Sequence, residues 1–436
     1  MILRRWTNPR LSKIACWIAI AMVAVVVRWQ WDRLIAPQTP MVQSDTRVFQ
    51  NIAELPFGLD LVSSSKPLVV PLVFRAAHND SRAITRFQAE VAFVAWGIVT
   101  ATIVLVLRRR WTRALAIGIG VCFLLEPTRV GFASALMPES LNDSLMALSI
   151  AAVLTAFRLR GRARVAASIA TGVLVLVWLF TRDTNVFIAL AATAMAMVVW
   201  HRWRSRLAWV IAVAIIAVSS IVLWSTTVAH EPLPYQRGWY VAFTPRNAYP
   251  MLDNIVFRVA PDDPDELPET MRQYTDPMPI ALAGPEARPL QAWLAEHGSA
   301  VYARWLVRRP LDRVRELLRG RWHAFAPQLS SFMPVEQVRP STPIRTLTSN
   351  RWLLTVLLLA SPLLLWRWRA DPLVRLVLCI VLSGVVGTLA AYYGDAREAA
   401  RHCYGAGQQV VLGLFLAGLA RMDRTTWPRS VSPPPA

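Results

Sequence analysis

Long apolar stretches separated by short polar loops make up most of this chain. A helix of about 20 apolar residues crosses the hydrocarbon core of a bilayer, and many of these stretches approach that length. The pattern predicts an all-α membrane protein with about ten transmembrane helices and one large outer-face loop domain. We place the helices, in chain order, at 11–30, 86–107, 114–132, 138–157, 165–181, 184–200, 207–228, 351–366, 372–393 and 404–420.

The longer polar stretches divide the chain into modules. We expect an N-terminal transmembrane module of about seven helices at 1–228, with a long first outer loop at 31–85. A polar region with clustered prolines, 229–350, predicts an extracytoplasmic domain of loops and helices. A second transmembrane module of about three helices follows at 351–421, and a short cytoplasmic tail occupies 422–436.

Two places depart from the regular alternation of apolar runs and loops. The apolar piece 67–77 is too short to span a bilayer and contains Pro71, which indicates an interfacial or re-entrant element. The third predicted helix is interrupted near Glu126 and Pro127. Glu126 and Arg129 are three residues apart, which favours a local ion pair at this break.

Basic residues concentrate in the loops on one side of the predicted bundle. The chain contains 47 Lys and Arg against 27 Asp and Glu, a formal net charge of +20. The loops at 108–113, 158–164, 201–206 and 367–369 are rich in arginine and contain no acidic residue. Under the positive-inside rule, this bias predicts a multi-pass cell-membrane protein with both termini in the cytoplasm. Topology therefore explains the charge, and we expect no nucleic-acid partner.

Acidic residues lie at the opposite, extracytoplasmic ends of the predicted helices. Asp45 lies in the first outer loop. A basic residue on the same face, Arg182, precedes the sixth helix. Glu139 and Asp143 are four residues apart at the start of the fourth helix, where Glu139 can simply complement the helix dipole. Asp143 lies one turn deeper and needs a partner, a metal or a water-filled cavity. We therefore treat this face as the functional one.

A polar stretch, 394–402, separates the last two predicted helices on that face. If the stretch is helical, Arg397 and Arg401 share one side of it. Glu398 and His402 then share the adjacent side. Two arginines at this spacing form a cradle for an anionic group such as a phosphate or a diphosphate. The alternative is an interfacial loop held together by Arg–Glu pairs.

Short motifs on this face carry a resemblance to a known family. They are SDTRVF at 44–49, KPL at 66–68, PESL at 138–141, TRDTN at 181–185 and the stretch 394–402. Together with the helix layout, they resemble GT-C-type membrane glycosyltransferases, which take sugar from a polyprenyl-phosphate donor on the outer face of the membrane. The long first outer loop of that family carries a catalytic aspartate, a position matched here by Asp45. This loop has one aspartate there rather than an adjacent acidic pair.

The resemblance implies that an acceptor hydroxyl attacks the anomeric carbon of the sugar while a lipid phosphate leaves. Such chemistry needs a base for the hydroxyl proton and positive charge for the phosphate. Asp45 is the expected base. A divalent metal is possible, and the sequence indicates no other cofactor. The expected substrate-binding residues are Arg397, Arg401, Arg182, Glu398, His402, Glu139 and Asp143.

Other functions fit the same pattern. A polymerase or ligase of lipid-linked glycans would also use outer-face arginines and a large outer loop. A transporter or flippase is a further alternative, although such proteins often show internal repeats, and none is evident here. A non-catalytic scaffold is the last. The partners implied by the resemblance are membrane lipids, a polyprenyl-phosphate-linked sugar and a glycan or lipid acceptor in the cell envelope.

Overall fold

The computed structural model describes residues 9–36, 38–64, 66–199, 206–227, 248–272, 288–325, 356, 360, 371–394, 396 and 399–424. Within these ranges the chain is helical and forms no β-strand, apart from one isolated parallel bridge between Met41 and Ala135. The prediction of an all-α protein is therefore confirmed for the described residues.

The N-terminal half contains long helices and, within the first polar segment, three short ones. Their bounds are α1 (Pro9–Ile35), α2 (Ser44–Ala53), α3 (Leu59–Val62), α4 (Val69–Ala76), α5 (Ser81–Val106), α6 (Arg110–Leu124), α7 (Pro127–Ser134), α8 (Glu139–Arg158), α9 (Gly161–Leu179), α10 (Asn185–Val199) and α11 (Arg206–Thr227).

The C-terminal half begins with short helices and ends with two long ones. A π-helical turn, Ile255–Val259, joins the first two of them, and a second one, Leu294–Gly298, precedes α16. The bounds are α12 (Ala248–Asn254), α13 (Ala260–Asp262), α14 (Glu269–Arg272), α15 (Arg288–Trp293), α16 (Ser299–Arg308), α17 (Pro310–Phe325), α18 (Pro372–Gly394) and α19 (Ala399–Arg424).

Several of these helices can cross a membrane. Among the described residues, α5, α8, α9, α18 and α19 are long and apolar enough, and the pair α6–α7, bent by 45°, would add a sixth span. Large apolar side chains on α5 and α9, such as Val94, Ile98 and Ile169, are exposed, as expected for side chains that face lipid. The chain is thus compatible with membrane insertion through five or six spans. Apart from residues 356 and 360, the predicted helix at 351–366 lies outside the described residues, and ten spans stay a prediction.

Most predicted helix bounds agree with the structure to within a few residues, but the first polar segment differs. The helix predicted at 11–30 continues to Ile35, and α5 begins at Ser81 rather than at position 86. The intervening segment, predicted as a loop, folds into α2, α3 and α4, and the apolar piece 67–77 forms α4. The described parts of the predicted outer domain, 248–272 and 288–325, are helical as well.

The helix α19 lies at the centre of the described fold, because nearly all of its length is buried whereas α9 is mostly exposed. It packs along α18, where small residues allow close approach of the two backbones. A Cβ atom on Gly384, for example, would lie only 2.9 Å from Cγ2 of Val410. This packing holds α19 against α18.

The C-terminal end of α19 is anchored by the carboxylate of Asp423. It accepts hydrogen bonds from the backbone N–H groups of Arg108 (3.1 Å) and Arg109 (2.9 Å). The hydroxyl of Thr112 donates a third one at 2.8 Å. The last helix is therefore tied to the link between α5 and α6.

The first polar segment packs against the start of α8. Phe49 of α2 belongs to the same buried apolar cluster as Leu141 of α8. The hydroxyl of Thr46 accepts a hydrogen bond from the backbone N–H of Gln43 (2.8 Å) and lies 3.2 Å from the carbonyl oxygen of Leu136, to which it donates. These contacts fix the first turn of α2 beside the first turn of α8.

Candidate functional site

The carboxylate of Asp45, in the first turn of α2, lies between two cations. Lys66 Nζ is 3.0 Å from Oδ1, and Arg401 Nη2 is 2.8 Å from Oδ2. The Asp45 side chain is 19% exposed, so part of it lies at the surface of the protein. Burial raises the pKa of this carboxyl, but the charges of Lys66 and Arg401 outweigh burial and hold the pKa well below its usual range. Asp45 is therefore ionised, and both of its oxygens are engaged.

Glu139, the first residue of α8, forms the buried floor beneath this arrangement. Its side chain is 0% exposed, and its Oε1 is 2.9 Å from Arg401 Nε and 3.3 Å from Arg182 Nη1. Arg401 thus bridges the carboxylates of Asp45 and Glu139. Arg182 also donates a hydrogen bond to the carbonyl of Arg401 at 3.3 Å. We call Asp45, Lys66, Glu139, Arg182 and Arg401 the Asp45 cluster.

Three charged residues of the cluster lie in the first turns of helices and interact with the helix dipoles. Asp45 and Glu139 lie in the first turns of α2 and α8, where a negative charge complements the helix dipole. Arg401 lies in the first turn of α19, where the dipole disfavours a cation. The two carboxylates that contact Arg401 offset this cost. The cluster thus holds three cations and two carboxylates, a formal excess of one positive charge.

A second buried ion pair lies near the start of α8. Arg129 Nε is 2.6 Å from Asp143 Oδ2, and both side chains are 1% exposed. Trp96 Nε1 donates to the same carboxylate oxygen at 2.9 Å, and the guanidinium stacks on the Trp96 ring at 3.8 Å. Arg129 Nη2 donates to Gln408 Oε1 at 3.2 Å. These partners join α5, α7, α8 and α19 in the interior of the protein.

The Arg129–Asp143 pair contradicts one predicted ion pair and shows what one predicted substrate-binding residue contacts. The expected side-chain ion pair between Glu126 and Arg129 is wrong, because the Arg129 guanidinium pairs with Asp143 instead. Glu126 accepts a hydrogen bond from the backbone N–H of Arg129 at 2.9 Å and so caps α7. Asp143, predicted as a substrate-binding residue, has its carboxylate engaged by Arg129 and Trp96 rather than by the Asp45 cluster.

A buried network of uncharged polar groups positions Arg182. The side-chain oxygen of Asn142 accepts hydrogen bonds from the hydroxyl of Thr181 (3.0 Å) and from Asn185 Nδ2 (2.7 Å). A Cβ atom on Gly405 would overlap the Asn142 amide, so α19 approaches α8 closely here. The network therefore fastens the turn between α9 and α10, which carries Arg182, to α8 at the point where α19 approaches it.

The structure separates the predicted site residues into groups. Arg397 and Glu398 lie outside the described residues. His402 is partly buried in the first turn of α19, next to Arg401 in the chain. The predicted residues that the structure brings together are Asp45, Glu139, Arg182 and Arg401.

The sequence prediction missed the second cation at Asp45. In the sequence, Lys66 stands out only as part of the KPL motif at 66–68. A signal existed, because Lys66 is one of only two lysines among the 47 basic residues and lies in the same loop as Asp45. The roles of Asn142, Thr181 and Asn185 were not predicted either, since their hydrogen bonds depend on how three helices meet.

A divalent metal does not fit this cluster well. Both carboxylates are already paired with cations, and Mg²⁺ or Ca²⁺ would need several oxygen ligands in their place. Within the part of the chain that the structure describes, no three His, Cys, Asp or Glu side chains converge as a metal site.

The sequence was also compared with known proteins. No protein-family model matches it, and no curated protein matches it either. The chemistry of the Asp45 cluster is therefore the basis on which a function can be proposed.

Proposed function

We propose that this protein is a membrane glycosyltransferase that moves a sugar from a polyprenyl-phosphate donor to a cell-envelope glycan or lipid acceptor. One observation carries the proposal: a partly exposed carboxylate, Asp45, is flanked by Arg401, in the first turn of the long helix α19, and by Lys66, in the link before α4. Glycosyl transfer from a lipid phosphate needs a base and positive charge together. In this proposal the chain has ten transmembrane helices, both termini are cytoplasmic, and the Asp45 cluster faces the outside.

In this scheme the donor phosphate takes over the cations that contact Asp45. Arg401 presents a planar guanidinium that suits a phosphate, and Lys66 adds a second positive charge. When these cations turn to the phosphate, Asp45 loses the charges that depress its pKa. Its carboxylate then becomes a stronger base at the moment when the donor is bound.

The acceptor hydroxyl then attacks the anomeric carbon of the donor sugar. The new carbon–oxygen bond forms as the bond from that carbon to the phosphate oxygen breaks. The phosphate leaves with the bonding electron pair, and Asp45 takes the hydroxyl proton. Glu139 touches no substrate in this scheme. It positions Arg401 and Arg182 through its ion pairs with both.

The test is sugar transfer by purified, reconstituted protein offered a panel of radiolabelled polyprenyl-phosphate sugars and envelope acceptors. Asp45→Asn should lose at least about 100-fold in transfer rate while still binding donor, since a general base contributes about that much or more. Asp60→Asn is the matched control, because Asp60 is an exposed aspartate in the same polar segment. Equal transfer by Asp45→Asn and wild type would remove Asp45 from the chemistry, and no transfer with any donor would contradict the proposal.

A lipid flippase or transporter is the second candidate, and the buried Arg129–Asp143 pair is the observation that favours it. Ionisable groups inside membrane helices often mark a transport pathway. Here the pair also contacts Trp96 and Gln408, which is equally expected of a structural pair. Movement of a labelled polyprenyl-phosphate sugar across vesicle membranes, without transfer to an acceptor, would favour this candidate.

A further inference from the structure

A charged cleft of about 570 Å³ lies in the polar region that precedes α18. None of the Asp45 cluster residues lines it. Its walls come from the π-helical turn Ile255–Val259, from α13, α16 and α17, and from the end of α18. Ligand pockets in proteins commonly have volumes of this order. Its charged lining consists of Arg258, Arg309, Arg313, Arg315, Arg319, Asp262, Asp312 and Glu316.

The inner wall of the cleft is held in place by buried arginines. Arg313 stacks on the Trp305 ring at 3.4 Å and pairs with Asp262 (2.8 Å) and Glu316 (3.1 Å). Arg258 stacks on the Tyr392 ring at 4.8 Å and donates a hydrogen bond to the carbonyl of that residue. Because these side chains are fixed by packing and ion pairs, the wall keeps its shape without a ligand.

The rim of the cleft carries cations that have no carboxylate partner among the described residues. Arg309 and Arg319 are exposed, and neither side chain makes an ion pair or a hydrogen bond within the described ranges. Arg315 is 69% exposed and pairs with Asp312 at 3.1 Å. Five arginines against three carboxylates leave the cleft with a formal excess of two positive charges.

We propose that this cleft is a second binding site, and that it takes a phosphate-bearing ligand. A guanidinium group can donate two parallel hydrogen bonds to a phosphate. Arg309 and Arg319, which have no ion-pair partner among the described residues, therefore suit a phosphate or a diphosphate on the rim of this fixed wall. The proposal does not depend on catalysis by the Asp45 cluster.

The cleft also lies at the end of an apolar helix. Tyr392, near the end of α18, contributes to its lining, and Asn254 donates a hydrogen bond to the carbonyl of Gly394 at 2.9 Å. A phosphate could therefore reach the cleft either as a lipid headgroup or as a soluble compound. The two sources share the same chemistry and differ in how they arrive.

Binding of two probes by the full-length protein in detergent or nanodiscs tests the proposal. The soluble probe is inorganic pyrophosphate, measured by titration calorimetry. The lipid probe is phosphatidic acid, measured as binding to phosphatidylcholine vesicles with and without that lipid. The test variant, Arg309→Gln/Arg319→Gln, removes two cations from the rim of the cleft. The matched control, Arg272→Gln/Arg304→Gln, removes the same number of positive charges at half-buried Arg272 and exposed Arg304, neither of which lines the cleft.

We expect the test variant to bind at least one probe about tenfold more weakly or worse, and the control to bind like wild type. Loss with pyrophosphate identifies a soluble phosphate ligand, and loss with phosphatidic acid alone identifies a lipid headgroup. Three results would overturn the proposal: no binding of either probe by wild type, equal binding by the test variant, or equal loss in both double variants. The last result would mean that net charge alone, rather than the cleft, governs binding.

Discussion

Breaking the Arg129–Asp143 pair should destabilise the protein severely. Asp143→Asn removes the negative charge while keeping an oxygen that accepts the Trp96 hydrogen bond, so the change isolates the ion pair. The Arg129 guanidinium then remains charged in the interior, 1% exposed, without its carboxylate. Removing one partner of such a buried pair costs about 3–5 kcal/mol.

This loss corresponds to more than about 100-fold in the ratio of folded to unfolded protein. The assay is reversible unfolding in mixed micelles with increasing denaturing detergent, followed by tryptophan fluorescence. Asp60→Asn serves as the control, because surface substitutions of this kind change stability by less than about 0.5 kcal/mol.

A second substitution distinguishes the ion pair from other effects of the mutation. Arg129→Gln combined with Asp143→Asn replaces the pair by neutral groups that can still hydrogen-bond Gln408 and Trp96. The double variant should regain about half of the lost stability or more, because no charge is left unpaired. Wild-type stability of Asp143→Asn would refute the reasoning. So would a loss of stability in the double variant equal to the sum of the losses in Asp143→Asn and Arg129→Gln.

Two further predictions concern the Asp45 cluster. Arg401→Ala should weaken binding of a polyprenyl phosphate by about tenfold or more, measured by equilibrium binding in detergent, because a charge-assisted hydrogen bond is lost; unchanged affinity in folded protein would count against a phosphate role. Lys66→Met should raise the pKa of Asp45 from its depressed position. In wild type, the stability from this pairing is complete above the unfolded pKa of about 3.9 and is lost as pH falls through the lower folded pKa. Because the folded pKa is higher in the variant, the variant should lose its stability at a higher pH than wild type as the solution is acidified. Coincident plots of stability against pH for the two proteins would contradict this.

Hydropathy predicted the long helices well because a membrane-spanning helix depends mainly on its own composition. The helix predicted at 138–157 is α8, Glu139–Arg158, and the one predicted at 372–393 is α18, Pro372–Gly394. Short helices depend more on their neighbours. Helix α2 is stabilised by packing of Phe49 and by the hydrogen bond from Thr46 to the carbonyl of Leu136. Because both partners come from elsewhere in the fold, its sequence alone predicts a loop.

The candidate site shows a similar division between local and long-range information. Charged residues at helix ends could be selected from the sequence because such positions are unusual in an apolar chain. Their partners could not, since Asp45 and Arg401 are 356 residues apart and meet only in the folded chain. Arg129 illustrates the resulting error. Sequence spacing predicts the nearby Glu126 as its ion-pair partner, whereas the partner in the structure is Asp143.

The two charged contacts of α19 have a mechanical consequence. Arg401 is tied to Asp45 and Glu139 at one end, and Asp423 is tied to the link between α5 and α6 at the other. The 23 residues from Arg401 to Asp423 span about 33 Å of helix, close to the thickness of a bilayer core. Any sliding of α19 along its axis would break one anchor or the other. The last helix therefore acts as a strut pinned at both ends, and Arg401 can change partners only by swinging its side chain, not by moving the helix.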